Sequence, residues 1–260
     1  MDESRLTLED LGRRGLKLYQ LRDGFRFGTD TVLLSWFTSS FLKEGRAYRL
    51  LELGANCGAA SLLAFGRRPD VHIDALEIDE EACEVLLKNI ELNGIEESIK
   101  AYNGDVRALP DNIRRQQYDL VLMNPPFFRI GTGPMSDETR QGKLKGRFEK
   151  NGSLEDFISA GASRLIPSSG LMTVVMAASR ADEVLLLMDR YGVKPGYIMS
   201  VHPFVDSKAE VVLICGRKTA TDPKLEILPP LILNEMEDGK SRTSSRLLDI
   251  YDKEQTDCFI

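Results

Sequence analysis

Apolar and polar residues alternate along the chain in a pattern that predicts strands separated by helices. Five apolar runs have the length of buried strands: 48–54, 71–79, 98–105, 118–124 and 170–178. The segments 59–68 and 80–94 follow the first two runs and carry apolar residues at helical spacing. Strands joined by helices need right-handed crossovers, so the pattern predicts a parallel sheet with helices on both faces.

Capping residues predict the ends of two helices. Asp79 fits the N-cap of the helix over 80–94, and Gly94 supplies its stop. Another helix is predicted to begin near Ser153, because Glu155 and Asp156 then place negative charge in its first turn.

The strand and helix pattern occupies the middle of the chain. It predicts a central domain over 48–217, with an N-terminal extension over 1–47 and a C-terminal extension over 218–260. The segments 196–204 and 209–218 flank a turn-prone stretch and are predicted to form a closing antiparallel hairpin.

Four predicted strand ends carry residues suited to ligand binding: Gly54, Glu77, Asp105 and Asn124. Ligands of open parallel sheets bind outside the carboxyl ends of the strands, near the point where strand order reverses. We therefore expect these four residues to face one crevice.

Composition narrows the class of protein. The chain has 260 residues, 42% hydrophobic and 28% charged, which suits one sizeable core. Its apolar runs are shorter than the roughly 20 residues that span a bilayer, and its first residues are acidic, so a cytoplasmic protein is expected. The four cysteines form no C-x-x-C pair and lie apart from both histidines, so we expect neither a metal site nor disulfides.

The net charge of −6 excludes a protein that binds nucleic acid through a uniformly basic surface. Positive charge is instead concentrated between residues 140 and 150, which contain Arg140, Lys143, Lys145 and Arg147. Two interpretations are open for this segment: a solvated loop, or a local contact for phosphate groups.

The turn after the first strand resembles a nucleotide-binding loop. A dinucleotide-binding loop has glycines spaced G-x-G-x-x-G, whereas this turn has Gly54, Asn56 and Gly58; asparagine tolerates the positive φ that the replaced middle glycine would adopt. Glu77 lies 19 residues after Gly58, where an acid can accept hydrogen bonds from ribose hydroxyls. Alternatively, the glycines form only a tight connection, and Glu77 only begins a helix.

Asp105 extends the same series to the third strand. Its carboxylate is placed to accept a hydrogen bond from an adenine amine, although an aspartate after Asn-Gly also suits a plain turn. Since all three candidates fall at successive strand ends, the pattern favours a shared nucleotide site.

The fourth strand ends in the sequence Asn124, Pro125, Pro126, Phe127 and Phe128. An amine on an aromatic ring or a carbonyl is a poor nucleophile, because its lone pair is delocalised. Two acceptors that bind its hydrogens return electron density to the nitrogen as charge develops. The side-chain carbonyl of Asn124 and the main-chain carbonyl of Pro125 suit this role, while Phe127 can stack on a planar substrate and Phe128 can stack or anchor the loop.

These positions resemble the class I S-adenosylmethionine-dependent methyltransferases. The resemblance implies a Rossmann-like, seven-stranded, mostly parallel sheet with an antiparallel C-terminal hairpin. It also implies that residues 52–58, which begin at Glu52, cradle S-adenosyl-L-methionine, that Glu77 holds the ribose and that Asp105 meets the adenine. Asn124 would lie beside the bound cofactor, which leaves as S-adenosyl-L-homocysteine.

The motif from Asn124 to Phe127 resembles that of N-methyltransferases acting on the adenine N6 amine or on a glutamine amide. The segment "DGFRFGTDTVLL", together with "VHPF" and "LPPLIL", is similar to the bacterial tRNA1(Val) adenine-37 N6-methyltransferases. That family implies that Phe27, Gly28, Thr29 and Asp30 close over the methionine end of the cofactor. The alternative is a hydrophobic helix that is capped by Thr29 or Asp30.

The sequence therefore predicts methylation of an adenine N6 amine in tRNA, at position 37 of a valine tRNA. Unstacked loop bases suit Phe127 and Phe128, and the basic residues Arg140, Lys143, Lys145 and Arg147 could contact phosphates. Two alternatives stay open: a protein-glutamine N5-methyltransferase, and a non-catalytic module that binds S-adenosylmethionine.

Overall fold

A computed structural model of the protein describes residues 3–24, 26–125, 152–221 and 223–252. Its centre is a sheet whose main strands are β3 (Tyr48–Leu53), β4 (Val71–Glu77), β5 (Ile99–Asn103), β6 (Leu120–Met123), β7 (Leu171–Ala177), β8 (Val193–His202) and β9 (Val211–Lys218). They lie in the order β5-β4-β3-β6-β7-β9-β8. The first five are parallel, and β9 pairs antiparallel with both β7 and β8.

This topology confirms the predicted α/β fold, the seven main strands and the closing hairpin. The sheet is larger than predicted, however, because two short strands, β10 (Glu226–Ile227) and β11 (Leu231–Ile232), pair in parallel with β8. They cover part of a strand edge that would otherwise expose unpaired backbone groups.

Helices cover both faces of the sheet. They are α1 (Thr29–Ser39), α2 (Ala59–Arg67), α3 (Glu80–Asn93), α4 (Asp111–Arg114), α5 (Leu154–Arg164), α6 (Ala181–Arg190) and α7 (Ser245–Asp252), with short 3-10 turns at Glu3–Arg5 and Ala178–Arg180. One buried apolar cluster lies on each face of the sheet. Among the described residues, no helix is both long enough and apolar enough to cross a bilayer.

The predicted caps are present. The Asp79 carboxylate accepts a hydrogen bond from the Ala82 amide at 3.0 Å, and Gly94 ends α3 with a φ of 62°. Ser153 begins α5 in a reciprocal capping box with Asp156.

The N-terminal extension contains an antiparallel hairpin that its sequence pattern did not reveal. Its strands are β1 (Leu6–Asp10) and β2 (Lys17–Leu21), and β2 lies against α3. Leu16 and Leu18 are buried in the same cluster as α1 and α2, so the hairpin packs on the central sheet domain.

The C-terminal extension folds back on the N-terminal half of the chain. It contains a second hairpin, formed by β12 (Asn234–Glu237) and β13 (Lys240–Thr243), followed by α7. The buried side chains of Arg13 and Arg67 both donate to the carbonyl of Ile250 in α7. This arrangement secures the end of the described tail.

Candidate active site

The strand ends that carry the candidate residues are in register. Leu53 of β3 pairs with Leu76 of β4 on one side and with Met123 of β6 on the other. Residues 54, 77 and 124 therefore leave the sheet at the same level. Gly54, Glu77 and Asn124 thus lie at one carboxyl edge, as the crevice prediction requires.

Backbone hydrogen bonds hold the loop after β3 against the end of β4. The amides of Gly54 and Ala55 both donate to the carbonyl of Leu76, each at 2.9 Å. Gly54, Asn56 and Gly58 have φ values of 76°, 49° and 84°. Asn56 thus adopts the left-handed conformation that the sequence analysis expected of it.

Both glycines of the loop also make room for neighbouring side chains. A β-carbon on Gly54 would lie 3.0 Å from Cε1 of Phe157, and one on Gly58 would overlap Cδ1 of Leu86. The loop is therefore packed closely from behind.

Glu77 joins β4 to the loop through its carboxylate. Its Oε2 accepts a hydrogen bond from the Asn56 amide at 2.7 Å, and its Oε1 accepts one from the Asp79 amide at 2.8 Å. Burial raises the pKa of Glu77, whereas these amide hydrogen bonds act against the rise. The carboxylate thus orders both the loop and the start of α3, and it keeps acceptor capacity for a ligand hydroxyl.

Glu52 lies behind the loop and is 5% exposed. Its Oε2 accepts hydrogen bonds from the amide and the hydroxyl of Ser61, in the first turn of α2. Burial raises its pKa to about 7, and the Glu77 carboxylate adds to the rise. These contacts indicate that Glu52 fixes α2 relative to β3, so any influence on a ligand would act through the loop.

Asp105 follows β5 and is paired with Arg107. Its carboxylate accepts hydrogen bonds from the Arg107 amide at 2.8 Å and from the guanidinium, and these bonds lower its pKa. The turn interpretation is therefore correct, but an ionised carboxylate can accept further bonds. The amide of Gly104 and the side chain of Asn103 both donate to the carbonyl of Glu77, which ties this strand end to the site.

Asn124 and Pro125 follow β6 directly, and both are described. Asn124 is partly buried and Pro125 is buried, at the level of Gly54. The other predicted substrate and catalytic residues lie outside the described residues: Pro126, Phe127, Phe128, Arg140, Lys143, Lys145 and Arg147.

The segment from Phe27 to Asp30 leads into α1. The alternative interpretation correctly predicted a buried apolar helix here, but its cap is wrong, because Gly28 is the N-cap residue of α1 and no side chain caps the helix. Burial raises the pKa of Asp30, and the nearby Glu210 carboxylate adds to the rise. Glu210 immediately precedes β9 and its carbonyl accepts from Ala178 at the end of β7, so Asp30 also lies near the carboxyl edge.

Sequence reasoning missed Asn89. It lies in α3 and is 0% exposed, yet its side chain donates to the carbonyl of Cys57 in the loop at 2.9 Å. Its position gave a signal, because it follows Val85 by four residues and Leu86 by three, on the buried face of the helix.

The described donors and acceptors suit a nucleoside better than a metal ion. Within residues 3–24, 26–125, 152–221 and 223–252, no group of three or more histidine, cysteine, aspartate or glutamate side chains could hold a metal. The loop with positive φ values and the acid at the next strand end instead have the chemistry that suits the ribose of a nucleoside.

Comparisons with known proteins match the fold and part of the sequence of this chain. Residues 26–137 match the family model for the methyltransferase small domain. A structure from Agrobacterium tumefaciens, titled as a predicted O-methyltransferase, superposes with a TM-score of 0.65 at 20% identity and covers 87% of this chain and 97% of its own. The chain therefore has the α/β fold of class I methyltransferases, and residues 26–137 are similar to the methyltransferase small domain.

Several curated relatives of the chain carry one name, tRNA1(Val) (adenine(37)-N6)-methyltransferase. The protein of that name from Flavobacterium psychrophilum is 26% identical over 201 residues, which cover 76% of this chain and 82% of the relative. That from Yersinia pestis strain Pestoides F is 30% identical over 173 residues, which cover 66% of this chain and 65% of the relative.

Proposed function

We propose that this protein transfers a methyl group from S-adenosylmethionine to the N6 amine of an adenine in tRNA, at position 37 of a valine tRNA. The observation that carries the proposal is the register of β3 and β6. It brings Asn124 to the same level as the loop from Gly54 to Gly58. An amide acceptor thus lies beside a loop suited to the methyl donor.

The cofactor residues act by binding and orientation. Glu77 accepts hydrogen bonds from the ribose hydroxyls, and Asp105 accepts one from the adenine amine. Phe27, Gly28, Thr29 and Asp30 cover the methionine end. The bound sulfonium supplies an electrophilic methyl group, and the protein places the substrate nitrogen in line with it.

Asn124 and Pro125 act on the substrate amine. Their carbonyl oxygens accept its two hydrogens and favour the charge that develops on nitrogen during transfer. Proline contributes no competing amide donor. No general base is needed in this scheme, because the proton can leave to water after transfer.

Two observations favour RNA as the substrate. The curated relatives carry names that specify adenine 37 of a tRNA. Because the overall charge is −6, binding of RNA phosphates requires a local positive segment. The basic sequence between residues 140 and 150 has the side chains for such a contact. Phe127 and Phe128 would stack on the unstacked loop base.

Radiolabelled cofactor tests the proposal when it is incubated separately with total tRNA, RNA-free protein extract and DNA. We expect label in tRNA, with N6-methyladenosine found by mass spectrometry of the nucleosides. Label in protein alone would overturn the RNA assignment and favour a glutamine amide. Cofactor binding without transfer to any of the three would indicate a non-catalytic module.

An Asn124→Ala variant tests the role of the amide acceptor. We expect transfer to fall by about a hundredfold or more, because removal of one positioned hydrogen-bonding group in such sites has that effect. Cofactor binding should persist, since Glu77 and the loop are unchanged. Asn112→Ala, at an exposed position in α4, is the matched control and should keep full activity. Full activity of Asn124→Ala would refute this mechanism.

A further inference from the structure

Two asparagines on α3 hold strand β2 by their side-chain amides. Asn89 Oδ1 accepts from the Tyr19 amide at 2.6 Å, and Asn89 Nδ2 donates to the Tyr19 carbonyl at 2.9 Å. One helical turn later, Asn93 makes the same pair of bonds with Lys17. The two side chains therefore pair with alternate residues of β2, as a neighbouring strand would.

Asn89 differs from Asn93 in one contact. Its Nδ2 also donates to the carbonyl of Cys57, within the loop that follows β3. Asn93 donates instead to the carbonyl of Asn89. Of these two asparagines, Asn89 therefore connects the N-terminal hairpin directly to the loop over residues 54–58.

The same strand is also hydrogen-bonded to the segment that leads into α1. Gln20, the residue after Tyr19, is 2% exposed, and its Oε1 accepts a hydrogen bond from the Phe27 amide at 2.9 Å. Phe27 begins the segment that leads to Thr29 and Asp30. Strand β2 thus holds both the loop beneath the cofactor site and the segment proposed to cover it.

We propose that strand β2 sets the affinity for the cofactor from both sides, through the buried carboxamides of Asn89 and Gln20. Both are positioning residues, because neither contacts the reacting atoms. This inference rests on the function proposed above and adds to it a role for the N-terminal hairpin.

The physical reason is preorganisation of the loop. Residues 54–58 contain three positive φ values: two are at glycines, which adopt them readily, and the third is at Asn56, where the left-handed conformation costs free energy. Without Asn89 the carbonyl of Cys57 loses this hydrogen bond and the loop gains alternative conformations. The cofactor must then order the loop when it binds, which weakens binding.

Calorimetric titration with S-adenosylhomocysteine measures this effect without any methyl acceptor. We expect Asn89→Ala and Gln20→Leu each to weaken binding by about tenfold, the effect of one buried hydrogen bond. Asn93→Ala is the matched control: it loosens the same strand but spares Cys57, so its affinity should stay within about twofold of the wild type.

Two further measurements separate positioning from general instability. Amide exchange of residues 54–58 should quicken in Asn89→Ala and not in Asn93→Ala, with both proteins free of ligand. With saturating cofactor, the turnover number of Asn89→Ala should match the wild type while its KM for the cofactor rises. If Asn89→Ala fails to fold, Gln20→Leu decides the proposal by the same titration.

Equal losses of affinity in Asn89→Ala and Asn93→Ala would overturn the proposal, because docking of the hairpin alone would then explain them. Wild-type affinity in both Asn89→Ala and Gln20→Leu would overturn it as well. If the wild-type protein itself bound no S-adenosylhomocysteine, the proposed function would fail instead. The titration therefore distinguishes the two failures.

Discussion

Gly58 offers the sharpest test of how the cofactor loop is built. It is the N-cap residue of α2, with a φ of 84° and a ψ of 19°. A β-carbon at this position would overlap Cδ1 of Leu86, whose side chain is fully buried. The substitution Gly58→Ala therefore meets two separate obstacles, one in the backbone and one in packing.

The two costs can be given separate magnitudes. A left-handed conformation costs a non-glycine residue about 1–2 kcal/mol. An extra carbon in a filled core costs about 1–3 kcal/mol, because neighbouring side chains must leave their preferred rotamers. We therefore expect Gly58→Ala to lower the free energy of unfolding by about 2–5 kcal/mol and to weaken cofactor binding as well.

Gly94→Ala provides the control for the backbone contribution. Gly94 has a φ of 62°, but a β-carbon there would meet nothing within 4 Å. Urea denaturation should therefore show a loss of only about 1–2 kcal/mol for Gly94→Ala. The difference between the two variants isolates the clash with Leu86.

A double variant tests that assignment directly. Leu86→Ala alone should cost about 2–5 kcal/mol, as buried leucines do. In Gly58→Ala/Leu86→Ala the clash is gone, so the combined loss should be smaller than the sum of the single losses by about 1–3 kcal/mol. Additive losses, or a Gly58→Ala loss equal to that of Gly94→Ala, would refute the packing argument.

Two further predictions follow from groups around the site. Burial raises the pKa of Glu52 to about 7, so the folded protein keeps a proton that the unfolded chain releases above about pH 4.5. The free energy of unfolding should therefore fall as pH rises from about 4.5 to 7. In urea titrations, Glu52→Gln should remove up to about 3 kcal/mol of that fall. Parallel pH profiles of unfolding free energy for the wild type and Glu52→Gln would contradict this. Asp79→Ala should cost about 0.5–2 kcal/mol of stability by loss of the α3 cap, whereas Asp182→Ala, at an exposed position in α6, should cost less than about 0.5 kcal/mol.

Much of the central sheet was predictable because its signals are local. The strands are continuous apolar runs, as expected of strands buried on both faces, and the caps at Asp79, Gly94 and Ser153 lie next to the helices they bound. The register that gathers Gly54, Glu77 and Asn124 follows from parallel pairing of these strands. Local pattern and global topology agree in this part of the chain.

The extensions were harder to predict because their structure depends on distant partners. Strands β10 and β11 have two residues each, and they exist through pairing with β8. The hairpin of β1 and β2 is held by Asn89 and Asn93, about 70 residues away along the chain. No pattern within such short segments contains that information.

The hydrogen bonds that position the loop could not be predicted from the sequence, for a related reason. Glu52 was predicted to bind the cofactor, and its type and place in the motif allow that interpretation. The described hydrogen bonds of its side chain go to Ser61, a residue whose orientation depends on how α2 packs. Sequence spacing identified the residues near the site, but it could not show which of them position their neighbours through hydrogen bonds.

Two buried carboxyl groups lie beside one loop, and their burial lowers the stability of the fold. Glu52 and Glu77 each have a pKa raised by burial, and the charge of Glu77 raises that of Glu52 further. Such groups destabilise a protein unless partners compensate them, and here the compensation comes from amides of the loop and of two helices. The proposed ligand carries a sulfonium, an ammonium and a carboxylate group, so its arrival would add one net positive charge, which these carboxylates favour. Binding of the proposed cationic nucleoside would account for the strain, burial and charge of this site together.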